Sequence, residues 1–171
     1  FNSVLHGDQR SKRLWLDKYF HKKVLSAVCM SYLFSAMKTA IAIQAYNRPE
    51  HLKLTLDSLV KNRSKHDVWV WVDAPANNAD QATQDLVMSC YNVASSYKGL
   101  RTSACMTNLG ANVALLMQVD YLFNVAKYDA VIQLCDDLIL SPNYIRNVDR
   151  MLQVFNGDQR VGMVSAMGSR H

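Results

Sequence analysis

Residues 130–144 read AVIQLCDDLILSPNY. From Ala130 to Leu134 the side chains are uncharged and mostly aliphatic, the composition of a short strand buried on both faces. The chain then runs through Cys135 straight into Asp136 and Asp137, and Ser141-Pro142 follows as a helix-start signal. Two adjacent carboxylates at the exit of a buried strand are costly to desolvate without a partner, and a divalent cation is one partner that satisfies them. The plainer alternative is a solvated turn.

The same alternation recurs upstream. Residues 39–45, TAIAIQA, form a charge-free run closed by Tyr46-Asn47-Arg48-Pro49, and helical spacing resumes from Glu50 to Leu59 with Pro49 in the first helical position. Residues 68–72, VWVWV, predict a second strand ending at Asp73. Helical spacing over 79–97, a weaker strand over 101–106, a helix over 110–125, a helix over 142–154 and a last strand over 161–165 complete the pattern. Strands separated by helices imply crossover connections, hence an α/β three-layer sandwich around a mainly parallel sheet. Before it, Leu14, Tyr19, Phe20, Val24, Leu25 and Val28 recur at mostly helical spacing, so residues 1–38 are expected to be an N-terminal helical extension and 39–171 the α/β domain. Residues 24–37 carry no charge, but the run is shorter than the roughly 20 residues a bilayer crossing takes, so a buried helix is expected there.

Composition narrows the function. The 171 residues are 50% hydrophobic and 19% charged, enough for one sizeable core, with no Gly/Ser-rich or Pro-rich linker. The net charge of +5 is spread along the chain apart from a cluster over residues 10–23, which suits a small phosphate ligand and speaks against nucleic acid. Cys29, Cys90, Cys105 and Cys135 make no C-x-x-C pair, so buried free thiols are expected rather than a zinc site or disulfide framework. The five histidines show no ligand spacing. Neither G-x-G-x-x-G nor G-x-x-x-x-G-K-[ST] occurs, which removes dinucleotide dehydrogenases and P-loop enzymes.

In an open parallel sheet, ligands bind outside the carboxyl ends of the strands. The residues expected there are Tyr46, Asn47 and Arg48 after the first strand, Asp73 after the second, Asn108 after the third, and Asp136 and Asp137 after the fourth. Tyr46 can stack on a base, and Arg48 can grip a diphosphate with its two-pronged guanidinium. Asp73 can accept from the imide N–H of uracil, or can instead cap the turn before Ala74-Pro75.

Taken together, the strand-Tyr46-Asn47-Arg48-Pro49 turn, Asp73, Asn108-Leu109-Gly110 and Asp136-Asp137 resemble the GT-A glycosyltransferases. The segment AVIQLCDDLILSPNY, with Val164-Ser165-Ala166, is similar to the family of N-acetylglucosaminyltransferase I and the protein O-mannose N-acetylglucosaminyltransferases, and the likeness covers residues 39–168. It implies a UDP-sugar donor, UDP-N-acetylglucosamine foremost, a carbohydrate or glycoprotein acceptor, and residence in the Golgi or ER lumen or at a membrane, with a cytoplasmic location left open by the sequence. It also implies Mn²⁺ (or Mg²⁺) on Asp137, the ribose on Asp136, uracil on Asp73, and a nucleotide lined by Ala45, Tyr46, Asn47, Arg48 and Asn108. Cys135 stands where the family has Glu, so one carboxylate is missing. The family's general base and acceptor loops lie further along than residue 171, so the chain reads as a truncated, donor-binding half. The competing expectation is a catalytically inactive module of the same fold, serving as a subunit or scaffold and docking through its basic N-terminal helix. A nucleotidyltransferase would also use carboxylate-bound metal after a strand, but its glycine-rich, basic first loop is missing. Asn62-Arg63-Ser64 is a glycosylation sequon compatible with a secretory lumen.

Overall fold

The charge-free runs pair as a parallel sheet. A computed structural model describes residues 37–62 and 64–165, and in it β1 (Thr39–Ala45), β2 (Asp67–Val72), β3 (Leu100–Ala104) and β4 (Ala130–Cys135) form four parallel strands in the order β3-β2-β1-β4. Ile41 pairs with Val68 on one side and Ile132 on the other, so β1 is hydrogen-bonded along both edges. Between the strands lie α1 (Pro49–Lys61), α2 (Gln81–Ser96) and α3 (Ala111–Asp120), and α4 (Tyr144–Phe155) follows β4. The described residues fall within one compact unit that begins at Met37.

Alternation along each strand sends side chains to two covered faces. On one, Ile41, Ile43, Val68, Val70, Ile132 and Leu134 pack against Leu52 and Leu56 of α1, Val87 and Cys90 of α2, and Ile145 and Val148 of α4. On the other, Ala40 and Ala42 are small enough for Leu122 and Tyr128 to settle on them, with Trp69 and Tyr121 alongside. Helices therefore cover both faces of an all-parallel sheet, as the alternation of elements predicts.

Several boundaries and one element differ from the sequence expectation. The helix expected over 110–125 is α-helical only to Asp120 and closes in a π-helical turn, Tyr121–Val125, where Ala126 N–H donates to Tyr121 O at 2.9 Å. Residues 161–165 are not a strand. Gly157, at φ +89°, turns the chain, and Val161 N–H bonds back to Asp158 O, so the segment stands off the outer edge of β4 across a cleft of about 560 Å³. Apolar alternation needs a strand edge within reach, and that spacing removes it. The thiols also divide: Cys90 is buried, Cys105 half-buried and Cys135 exposed, all three free. Cys135 is exposed because it closes the edge strand. The helical extension expected over residues 1–38 and Cys29 lie outside the described residues, apart from the irregular Met37 and Lys38. Among the described residues no helix is long and apolar enough to cross a membrane.

Candidate functional site at the carboxyl ends of beta1 and beta4

Consecutive crossovers carry the chain from β1 outward through β2 to β3, after which it returns to the opposite side of β1 as β4. The strand order therefore reverses between β1 and β4, and the residues that follow both strands lie at the carboxyl edge of the sheet, where open α/β sheets bind ligands. Arg48 follows β1, and Asp136 and Asp137 follow β4.

Their side chains meet. One Arg48 guanidinium bonds to both acids, with Nη2 on Asp136 Oδ1 and Nη1 3.0 Å from Asp137 Oδ2. The two acids are not equivalent: the Asp136 side chain is 5% exposed and that of Asp137 41%. Burial pushes the Asp136 carboxyl above its ordinary value, and Asp137 adds to the rise, while Arg48 pulls it back without cancelling it. Burial also opposes the charge on Arg48, but the pair of carboxylates outweighs it and holds the guanidinium above its usual value. Beneath this cluster the buried Cys90 thiol is pushed up to about 11 by desolvation, against a hydrogen bond involving the Arg48 backbone.

The loop carrying the acids is fastened along α1 by polar groups that the sequence reading passed over. Thr55 Oγ1 accepts Leu138 N–H at 3.0 Å, Ser58 Oγ accepts Leu140 N–H at 3.0 Å, and Asn62 Oδ1 accepts Ile145 N–H at 3.2 Å. Positions 55, 58 and 62 share one helix face, and Thr55 and Ser58 are buried there beside Leu52, Leu56 and Leu59. The signal was present as hydroxyls inside an apolar stripe. The same Asn62 donates its amide to Ser58 O, so the sequon asparagine is bonded at both ends of its side-chain amide inside the fold.

Asp73 does a different task from its neighbours. It is 3% exposed, and its carboxylate accepts from Ala74 N–H, Leu109 N–H, Gly110 N–H and, at 3.4 Å, the Asn108 amide. These four donors match the acceptor capacity of a carboxylate. Asn108 is exposed but spends its other contact on Ala74 O at 2.6 Å. Together they pin the loop after β3 to the rim. Ala45 has its side chain in the core and its carbonyl bonded to Asp73 N–H, so only its backbone lies at the rim. Tyr46 is half-buried against the core cluster, and Asn47 is half-buried beside it. Two strand spacings, about 10 Å, separate the exits of β2 and β4, with the Tyr46–Arg48 turn between them.

Among the described residues no group of three or more His, Cys, Asp or Glu side chains forms a metal-binding set. Two carboxylates with one open face fit a cation that completes its shell with substrate oxygens, and do not fit a closed protein cage. Cys135 lies outside the cluster, its side chain directed to the sheet face opposite Leu134 and Asp136.

No protein-family model matches the chain, and no curated protein matches its sequence.

Proposed function

We propose that this is a GT-A-type domain that binds a UDP-sugar, UDP-N-acetylglucosamine foremost, at the carboxyl ends of β1 and β4, for transfer of the sugar to an acceptor hydroxyl. The observation that carries the reading is the convergence of Arg48, Asp136 and Asp137 at the carboxyl edge of the sheet, where the strand order reverses. In this reading Asp137, the exposed acid, is the ligand of Mn²⁺ or Mg²⁺, and Asp136, sunk below it, faces the ribose. Arg48 supplies a forked donor for the diphosphate, whose charge grows as the sugar leaves. A bound divalent cation would neutralise part of that charge. Tyr46 offers the nucleobase a ring whose other side is already braced on the core. Because the Asp73 carboxylate is filled from within the chain, base recognition at that side falls to the loop it anchors, through the exposed Asn108.

Titration of UDP into the protein with and without Mn²⁺ tests the proposal. Metal-dependent binding that disappears in Asp137→Ala supports it; absent or metal-independent binding counts against it. The second reading, an inactive module of the same fold working as a subunit, draws on the outward face of α3, where Val113, Leu116 and Met117 are all exposed. It requires that UDP bind no better with Mn²⁺ than without.

A further inference from the structure

The guanidinium that joins Asp136 to Asp137 occupies the position facing both carboxylates, which is where a cation shared with a diphosphate would also have to approach. We infer that Arg48 is an exchangeable internal counter-ion: it holds the acids closed to a divalent cation until a diphosphate arrives to take the guanidinium over. The inference rests on the nucleotide-sugar reading for the identity of the diphosphate, but not for the competition itself.

The physical argument has three parts. First, the acids are adjacent in the chain and one is almost fully buried, so in the absence of a cation they need a positive partner. Arg48 is that partner, and among the described residues no other cationic side chain bonds to either acid. Second, the pair is not sealed. Arg48 is 47% exposed and Asp137 41%, so the guanidinium can swing outward without disturbing the core. Arg48 directly precedes α1, with no side-chain cap bond, and Pro49 fixes the first turn behind it, so the backbone stays in place while the side chain moves. Third, a divalent ion entering alone must displace Arg48 into water and stand close to its charge. When a diphosphate enters with it, the displaced fork finds new oxygens, which removes much of that cost. Metal and diphosphate therefore assist each other through Arg48, beyond the direct contact between them, and by linkage the assistance is reciprocal.

The test is the affinity for Mn²⁺ alone, read by the loss of the free-ion electron paramagnetic resonance signal at neutral pH, in the wild type, Arg48→Gln and Arg48→Lys. Arg48→Gln is expected to bind Mn²⁺ about tenfold more tightly than the wild type. Arg48→Lys, a point charge that cannot span both acids, is expected to fall between them. Adding UDP should strengthen Mn²⁺ binding by a larger factor in the wild type than in Arg48→Gln. Unchanged or weaker Mn²⁺ binding in both variants overturns the inference, as does a variant that binds no Mn²⁺ at all. If the variants gain Mn²⁺ affinity but UDP changes nothing in any of the three proteins, the counter-ion role stands and the nucleotide-sugar reading falls.

Discussion

Asp136 brings the energetics of the site down to one side chain. Its carboxyl is held above the ordinary 3.8, so the folded chain binds that proton more tightly than the unfolded chain does. Ionisation therefore detracts from stability, an effect absent below the unfolded value and complete above the folded one. Comparing urea unfolding of the wild type and Asp136→Asn from acid to neutral pH should show the wild type losing ground relative to the variant as pH rises through the window above 3.8. An opposite slope would mean that Arg48 dominates burial. At Thr55 the accounting is simpler. Thr55→Val keeps the shape but leaves Leu138 N–H without its acceptor in a part-buried site, at a cost of about 1–3 kcal/mol in denaturant unfolding. The acids themselves stood out in the sequence because a charge-free run ended on them. Their partner did not, since Arg48 and Asp136 are 88 residues apart and nothing local in either segment specifies the pairing.

At the scale of elements, the loop between β3 and α3 shows how one buried acid organises a turn. Gly110 sits at φ +72°, ψ 158°, a region open essentially to glycine alone, and there its N–H reaches Asp73 Oδ2 at 2.8 Å. Gly110→Ala should lower stability by about 1–3 kcal/mol through backbone strain, although an added Cβ would meet nothing within 4 Å. Thermal unfolding checks it. The strands β1 and β2 were readable because no charge interrupts residues 39–45 or 68–72, and Pro49 marked the start of α1 correctly. Residues 161–165 misled because their composition suits a strand while the turn at Gly157 keeps them from the edge of β4. The π-helical end of α3 left no mark in periodicity, since five residues are too few to shift a 3.6-residue pattern visibly. The role of Asp73 was open between base contact and turn support; besides the adjacent Ala74 N–H, its donors Asn108, Leu109 and Gly110 come from a loop more than thirty residues away.

For the whole molecule, the cysteines report on integrity. Cys90 is fully buried between α2 and the sheet, and burial holds its thiol at about 11, so it is protonated and shielded at neutral pH. Alkylation of the native protein, followed by peptide mapping, should label the exposed Cys135 and spare Cys90, with Cys90 labelling rising only along the urea transition. Early labelling of Cys90 would show that α2 opens on its own. The strand order has a further consequence for how the chain acquires its shape. β1 receives β2 within a short crossover, yet its other edge waits for β4, whose first residue lies 91 positions beyond the start of β1. During synthesis that edge of Thr39–Ala45 stays unpaired until Ala130–Cys135 has emerged, so the meeting of Arg48 with Asp136 and Asp137 waits on a long-range closure that slows folding.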